Sequence, residues 1–302
     1  MQIGLKQIQD ILSDCEGRNL RMNREVNAFV PIEDAAETAA VWIRGASQAS
    51  IDKVRNSAAL VIIAGLDFPI DAEGLEEKTF FLAANPRLSF ARLVRAFHNL
   101  SREWSIHPTA QIHPEAELAG KVFVGPYAVI GKAIIGEESV IEGHCTIHDN
   151  VRIGKRVVLH HHTCVGSDGF SFEWRDDGEI EKFLHIGSCV LEDDVEAYPF
   201  VNIDRGTLGT VRVGRGTKLD HFVHVGHNCS VGKNSMITAG VVMCGGSTVG
   251  DNVWVGVQST IKEKCVVGDG AYIGLNSLII KDVPAKEVWV GSPAKFLRKS
   301  DD

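Results

Sequence analysis

The sequence lacks the features that mark a membrane-spanning or secreted protein. No apolar run approaches the eighteen or so consecutive residues that cross a bilayer. The first residues, MQIGLKQIQD, lack the basic and then apolar layout of a signal peptide. The 7 cysteines show no CxxC spacing, which argues against a disulfide framework and fits a reducing compartment. We therefore expect a cytoplasmic protein.

Positive charge and tyrosine are also scarce. The chain has 31 lysines and arginines against 39 acidic residues, a formal net charge of −8. Nucleic acid is therefore not expected as a partner, because phosphate binding needs clustered basic residues. Only 3 residues are tyrosine whereas 30 are glycine, although the apolar content of 44% is that of a folded protein. This balance makes periodicity the next feature to test.

An aliphatic residue returns at every sixth position, unbroken, from Val213 to Ile279, and glycine often follows it, as in Val225-Gly226. A period of six fits neither the 3.6-residue period of a helix nor the alternation of a lone hairpin. It fits short strands joined by sharp turns, where glycine tolerates unusual backbone angles. Three such hexads per turn predict an 18-residue coil, a solenoid of parallel rungs with the aliphatic residues inside.

The same period runs through residues 106–130 and, after one skipped residue, through 135–165. Residues 167–185 lose the period, and we predict a protruding loop there, since loops of this kind often carry function. A tolerated surface insertion is the alternative. Four extra residues before Val213 widen the coil around residues 204–206, which would shape a cleft or only brace the bulge. The β-helix is predicted for 101–285 and a C-terminal tail for 286–302.

Residues 1–100 show no six-residue period, and we predict a separate small α/β domain. The apolar stretch at 58–65 is typical of a buried strand, and Asn85-Pro86 is typical of a helix start. The apolar face of that helix is predicted to comprise Leu88, Phe90, Leu93, Val94 and Phe97. The predicted fold class is therefore an α+β N-terminal domain followed by an all-β parallel solenoid of hexapeptide repeats.

This domain order and five segments resemble the UDP-3-O-(3-hydroxyacyl)glucosamine N-acyltransferase family of lipid A synthesis. The segments are NPRLSFARLVRAF (85–97), IHPTAQIHPEAEL (106–118), VGSDGFSF (165–172), NIDRGTL (202–208) and HVGHN (224–228). The resemblance implies a left-handed coil, a homotrimer with sites between subunits, and a nucleotide-sugar-binding N-terminal domain. It also implies acyl transfer from a thioester to the amine of a nucleotide-linked amino sugar. Acyl carrier protein and acyl-coenzyme A both stay open as the donor, with no permanently bound cofactor.

Acyl transfer to an amine needs a base for the amine proton and a donor for the oxyanion. The strip LDHFVHVGHN (219–228) offers three histidines, of which His227 matches the catalytic histidine of the family. Gly245 lies 18 residues later, one predicted rung on, where the family uses a glycine N–H as oxyanion donor; a turn glycine is the alternative. Asp220 matches a family carboxylate that would orient the imidazole, although it is equally interpretable as a polar residue at a strand edge.

The resemblance also implies contacts with the nucleotide sugar. The residues at the matching positions are Trp42, Asp168, Phe170, His224 and Asn228. Trp42 would stack on the nucleotide base, but Gln48 stands where the family has a tyrosine, so a thymidine sugar is as open as a uridine one. Asn228 is equally interpretable as a polar residue at a strand edge.

Two departures from the family concern the acyl donor. Lys264 stands where the family often has a second active-site histidine, and its ammonium group suits an anionic donor. The segment GSPAK (291–295) resembles hexapeptide acetyltransferases that use acyl-coenzyme A, in which a basic tail lies near the phosphates of the cofactor. That resemblance makes Lys295 and Arg298 candidates for binding the 3′-phosphate, with solvated surface cations as the alternative.

Two other classes of protein share this coil. The γ-class carbonic anhydrases bind zinc through three histidines, two of them five residues apart, but here Cys229 stands five residues after His224. The denser cluster at 160–162, with His144 one rung earlier, calls for a metal assay, although a polar surface strip is the alternative. A non-catalytic scaffold is the other class. We expect no metal at the acyl-transfer site.

Overall fold

The computed structural model describes residues 2–21, 23–98 and 103–299. The chain divides into two compact units, Met1–Ser101 and Arg102–Asp302. No helix in these described ranges is long and apolar enough to cross a membrane.

The first unit is built on a five-stranded sheet in the order β2-β7-β6-β5-β4 and a small antiparallel pair, β1 with β3. The strands are β1 (Ile3–Gly4), β2 (Glu16–Arg18), β3 (Glu25–Val26), β4 (Ala28–Phe29), β5 (Ala39–Trp42), β6 (Val61–Gly65) and β7 (Thr79–Ala83). The helices are α1 (Leu5–Ile11), α2 (Gln48–Asn56), α3 (Pro86–Phe97) and a 3-10 turn at Ile32–Asp34. Strand β6 lies between two parallel neighbours, which explains its uninterrupted apolar sequence.

Helix α3 begins where its sequence predicts. The Asn85 side chain accepts the N–H of Leu88 at 3.1 Å, and proline occupies the first helical position, where no donor is lost. Leu93 and Phe97 are buried in the core of this unit. Leu88 is 47% exposed, so its assignment to the apolar face is wrong; Ser89 turns inward instead.

The second unit is a parallel β-helix, which confirms the predicted solenoid. The strands before the long insertion are β8 (Gln111–Ile112), β9 (Glu117–Leu118), β10 (Val122–Val124), β11 (Val129–Ile130), β12 (Ile134–Ile135), β13 (Ser139–Ile141), β14 (Thr146–Ile147), β15 (Val151–Ile153), β16 (Val158–Leu159) and β17 (Cys164–Ser167). The insertion holds one antiparallel hairpin, β18 (Phe172–Trp174) with β19 (Ile180–Lys182).

The rest of the described chain continues the coil as far as Glu287–Val290 and ends in Lys295–Lys299, which pairs antiparallel with that strand. Its strands are β20 (Ser188–Leu191), β21 (Glu196–Ala197), β22 (Asn202–Asp204), β23 (Thr210–Val213), β24 (Lys218–Leu219), β25 (His224–Val225), β26 (Ser230–Val231), β27 (Met236–Ile237), β28 (Val242–Met243), β29 (Thr248–Val249), β30 (Trp254–Val255), β31 (Thr260–Ile261), β32 (Val266–Val267), β33 (Tyr272–Ile273), β34 (Leu278–Ile279), β35 (Glu287–Val290) and β36 (Lys295–Lys299).

These strands stack into three sheets, which form the faces of the coil. The first face runs from β10 to β36, the second contains β17, β22, β25 and β28, and the third contains β20, β23, β26 and β29. All the aliphatic anchors from Val213 to Ile279 are buried between the faces. Ile106, the first anchor, bridges Val124 in register but is 53% exposed, because it lies on the terminal rung of this unit.

Strand pairing shows where the 18-residue step holds and where it breaks. Val225 pairs with Met243, which is one regular step. Cys164 pairs with Asn202 across the long insertion, and Asn202 pairs with His224 across the short bulge at 205–209. Both insertions therefore leave the coil at the corner between the second and third faces, on successive rungs.

Candidate active site

Residues 226–229 form the corner that joins β25 on the second face to β26 on the third. We call this turn, with the equivalent turns on neighbouring rungs, the His227 corner. Val225 and Cys229 are fully buried and point into the coil, whereas the His227 side chain is half-buried on the outside. The alternation of inward and outward residues along the rung thus puts the imidazole on the surface of the solenoid.

Gly245 lies beneath the imidazole on the next rung. A Cβ added to Gly245 would lie 2.6 Å from both Cε1 and Nε2 of His227, so only glycine permits this approach. The flanking N–H groups of Cys244 and Gly246 donate to the carbonyls of Ile261 and His227. The Gly245 N–H donates to no acceptor within the described ranges. An imidazole nitrogen and an unpaired main-chain donor therefore lie side by side.

The opposite edge of the imidazole faces the bulge. Thr207 Oγ1 lies 3.4 Å and Asn228 Nδ2 3.2 Å from His227 Nδ1. The Asn228 amide also accepts the Thr207 N–H at 2.9 Å and donates to Thr207 Oγ1 at 2.9 Å. Asn228 therefore ties the bulge to the corner, and Nε2 is the ring nitrogen that faces Gly245.

The base of the long insertion rests on the same ring. A Cβ at Gly169 would lie 2.8 Å from His227 Cβ and 3.0 Å from its Cδ2. Next to it, the Asp168 carboxylate accepts a 2.6 Å hydrogen bond from Lys182 Nζ and lies 3.7 Å from Arg205 Nε. The hydrogen bond from Lys182 lowers the pKa of Asp168, so the carboxylate stays charged and clamps the two ends of the loop.

The tip of the insertion presents apolar surface. Phe170 is 87% exposed and its ring centroid lies 4.9 Å from that of Phe172. Phe170, Phe172, Trp174 and Ile180 line a cavity of about 380 Å³. Contact of Asp168 or Phe170 with substrate stays a prediction.

A polar network extends from the corner across the second face. The Asp204 carboxylate is 4% exposed and accepts hydrogen bonds from Ser167 Oγ at 3.0 Å and Asn202 Nδ2 at 2.8 Å. His224 Nε2 lies 3.8 Å from its second oxygen, and Asn202 Nδ2 lies 3.2 Å from His224 Nδ1. His224 thus belongs to the surroundings of a buried carboxylate, and its role in substrate binding stays a prediction.

The electrostatic surroundings act on His227 in one net direction. Burial, followed by the neighbouring His185, lowers the pKa of His227, while Asp204 opposes the shift. The ring therefore stays neutral to lower pH than a solvated imidazole, whose pKa is about 6.5. A neutral imidazole is the form that can accept a proton.

Asp220 occupies a different corner, between the first and second faces. Its Oδ1 lies 2.7 Å from His221 Nδ1. Within one chain, Asp220 therefore contacts His221 and does not orient the His227 imidazole. The reason is geometric: seven residues carry the chain past a full side of the coil, so the two side chains leave it at different corners.

The predicted donor-binding cations divide between two places. Lys264 lies on the His227 corner, where its N–H donates to Gly245 O at 3.2 Å. Lys295 and Arg298 lie on β36, an exposed antiparallel strand at the end of the first face. Within one chain, only Lys264 is brought to the corner that holds His227.

In the first unit, Trp42 ends β5 and packs half-buried against the core. The Gln48 side chain begins α2 and donates to Asp52 Oδ1 at 3.0 Å. A cavity of about 690 Å³ lies beside this helix, and Trp42 does not line it. Stacking of Trp42 on a nucleotide base stays a prediction.

The histidine cluster at 160–162 is engaged in other contacts. His160 lies 3.2 Å from both Glu142 and Glu196. His162 stacks on His144 with ring centroids 5.0 Å apart. In the ranges that the structure describes, no three His, Cys, Asp or Glu side chains converge as metal ligands.

Sequence reasoning missed three residues at this corner. Gly169 and Thr207 stand inside quoted motifs, VGSDGFSF and NIDRGTL, so the signal existed. His185 is the last residue of the predicted loop, and nothing in the sequence marks it apart from the point where the chain rejoins the coil.

Comparisons with known proteins show which family the chain resembles. Residues 210–245 match the family model described as "Bacterial transferase hexapeptide (six repeats)". The chain is 36% identical over 155 residues to the UDP-3-O-acylglucosamine N-acyltransferase of Wolinella succinogenes, an alignment that spans 49% of this chain and 49% of that protein. It is 32% identical over 244 residues to the enzyme of the same name from Gloeothece citriformis, which spans 74% and 69%. The chain thus spans about half the length of the first relative and over two thirds of the second.

Solved structures share the coil. The UDP-N-acetylglucosamine O-acyltransferase of Moraxella catarrhalis superposes with a TM-score of 0.59 at 28% identity, over 65% of this chain and 74% of that chain. The UDP-N-acetylglucosamine acyltransferase of Francisella novicida does so with a TM-score of 0.61 at 26% identity, over 65% and 71%. The solenoid is accordingly a left-handed parallel β-helix. This fold, and an alignment with the Gloeothece citriformis protein that spans most of both chains, show that the chain belongs to the UDP-3-O-acylglucosamine N-acyltransferase family.

Proposed function

We propose that the protein is an N-acyltransferase that moves an acyl group from a thioester donor to the amine of a nucleotide-linked amino sugar in lipid A or related surface-glycan synthesis. One observation carries the proposal. The Nε2 edge of the His227 imidazole lies over Gly245, and the Gly245 N–H donates to no acceptor among the described residues. Base and oxyanion donor are the two groups that aminolysis of a thioester requires.

In the proposed reaction the amine nitrogen attacks the thioester carbonyl while His227 Nε2 accepts a proton from that nitrogen. Negative charge develops on the carbonyl oxygen, and the Gly245 N–H donates to it. The tetrahedral intermediate then collapses, the carbon–sulfur bond breaks, and the imidazolium returns its proton to the departing thiolate. The products are the amide and the free thiol.

Thr207 and Asn228 both contact Nδ1 of the proposed base. The reaction needs the tautomer with Nδ1–H, which leaves the Nε2 lone pair free, and in that tautomer the Thr207 hydroxyl is the group that can accept from Nδ1. Asn228 Nδ2 can only donate, so its contact with Nδ1 belongs to the other tautomer. Asn228 also holds Thr207, through one hydrogen bond from the Thr207 N–H and one to the Thr207 hydroxyl.

The remaining predicted contacts are part of the proposal. Trp42, Asp168, Phe170 and His224 would contact the nucleotide sugar, and Lys264 would contact the donor, acyl carrier protein or acyl-coenzyme A. Asp220, Lys295 and Arg298 lie away from the His227 corner of their own chain. They could serve the reaction only at a site completed by another copy, which fits a cytoplasmic homotrimer.

A turnover assay tests the proposed function. The purified protein is mixed with acyl-coenzyme A or acyl carrier protein thioesters and with nucleotide amino sugars, and thiol release is followed with and without chelator. We expect release that depends on the amino sugar and is insensitive to chelator. Chelator-sensitive hydration of carbon dioxide would support a metal-dependent hydratase instead, and the absence of any turnover would support a scaffold.

The pH dependence of kcat/KM follows from the state of His227. Because its folded pKa is lowered, the base stays unprotonated and kcat/KM stays at its plateau to lower pH than an ordinary imidazole would allow. Activity is then lost as pH falls further, through the pKa of His227. The measurement is kcat/KM across pH 4.5 to 8 at saturating donor; an acid limb centred above about 6.5 would contradict this assignment.

A further inference from the structure

His185 is the unusual polar residue of this corner. Its side chain is 4% exposed, and both ring nitrogens lack a hydrogen-bond partner. Among the side chains in the described ranges, these are the only buried nitrogen or oxygen atoms left unpaired. Buried polar groups are normally satisfied, and the exceptions cluster where function requires them.

The His185 ring lies edge-on against the proposed base. The ring centroids of His185 and His227 are 5.3 Å apart with an angle of 69° between their planes. Gly169 lies close to both residues. A Cβ added to it would lie 3.1 Å from His185 Nε2 and 2.8 Å from His227 Cβ. The three residues form one packed unit in which the His227 plane is set by its neighbours.

The long insertion delivers both neighbours to this place. Gly169 follows Asp168 at the start of the insertion, and His185 comes three residues after Lys182 at its end. The 2.6 Å hydrogen bond between Lys182 Nζ and Asp168 closes the insertion between them. The ion pair between Lys182 and Asp168 thus holds together Gly169 and His185, the two residues on which the His227 ring packs.

Titratable groups from three elements act on the His227 ring. They are His185 at the end of the insertion, Asp204 on β22 and His224 on β25. Of these, His185 has its ring in edge-on contact with His227.

We infer that His185 is a positioning residue for the proposed acyl transfer: its ring holds the His227 imidazole over Gly245. The inference rests on the proposed function of His227. A space-filling role alone is the alternative, but for that role an apolar ring would serve better, because it buries no unpaired nitrogen.

Two variants separate the ring from its nitrogens. His185→Ala removes the ring, and we expect kcat to fall by about tenfold to a hundredfold with KM little changed, since small misplacements of a catalytic group have effects of this size. His185→Phe restores a buried ring without polar nitrogens. We expect it to recover most of kcat, with melting temperature equal to or above wild type.

The matched control is His148→Gln. His148 turns at the same corner nearer the start of the coil, its pKa is also lowered by burial, and its Nε2 lies 3.6 Å from Cys164 Sγ. We expect it to leave kcat and the acid limb unchanged. The inference is overturned if His185→Ala keeps wild-type kcat, or if His185→Phe fails to recover kcat.

A measurement independent of turnover keeps this inference separate from the proposed function. Imidazole ¹⁵N chemical shifts of the histidine-labelled protein report the protonation of His227 directly. Its titration midpoint should rise in His185→Ala, because the His227 ring loses part of the burial that lowers its pKa, and stay unchanged in His148→Gln. If the wild-type protein shows no acyl transfer, the proposed function fails, whereas an unmoved midpoint in His185→Ala defeats the role of His185.

Discussion

Substitution of His227 by alanine is expected to lower kcat by about 10²- to 10⁴-fold, the range that a general base contributes. In the part of the chain that the structure describes, the atoms nearest to a Cβ at Gly245 all belong to the His227 imidazole, and the Thr207 hydroxyl beside Nδ1 cannot replace that base at neutral pH. The half-buried ring contributes little to the core, so the melting temperature and the elution volume should be preserved. Steady-state thiol release, with circular dichroism and size-exclusion chromatography on the same preparations, measures both.

The control for this substitution is His113→Ala. His113 follows β8 at the same corner near the start of the coil, where its Nδ1 accepts the N–H of Glu115. It therefore reproduces the loss of an imidazole from this turn without touching the site, and we expect wild-type turnover. Wild-type turnover in the His227 variant would remove the proposed mechanism.

Substitution of Gly245 by alanine is expected to lower kcat by about 10²- to 10³-fold, as the loss of one oxyanion donor does. The added Cβ would lie 2.6 Å from His227 Nε2 and Cε1, so the ring must move away. The methyl group also crowds the space in front of the Gly245 N–H. One carbon atom thus disturbs base and oxyanion donor together, and kcat is the parameter to measure alongside the melting temperature.

Gly120→Ala is the matched control for the glycine. Gly120 lies in the same solenoid, and an added Cβ there meets nothing within 4 Å. We expect its kcat and melting temperature to match the wild type. If Gly245→Ala also kept wild-type kcat, the main chain at this rung would not carry the oxyanion, and the proposed geometry of attack would have to be abandoned.

Much of the solenoid could be derived from the sequence because a single period governs it. Each hexad supplies one buried aliphatic side chain and one turn, so the anchors from Val213 to Ile279 predict strands, corners and register together. The same arithmetic predicts that Gly245 stacks on His227, since 18 residues return the chain to the same corner. Places where the period is lost mark the insertions.

Arrangements outside that period could not be derived in the same way. Asp220 is close to His227 in sequence, yet the corner between them sends the two side chains apart. His185 and Gly169 stand far from His227 in sequence, yet the insertion folds back and packs both on its ring. A loop without repeats has no register to count, so its path depends on contacts such as the ion pair of Asp168 with Lys182.

The sequence by itself determined the architecture and the stacking of Gly245 on His227, the proposed base, because stacking of identical hexads leaves one low-energy register. Only the tertiary structure decided what surrounds His227: the bulge on its Nδ1 side, the buried His185 against its edge, and the separation of Asp220. Those contacts come from irregular segments, whose conformations are selected by long-range packing and ion pairing rather than by any local repeat.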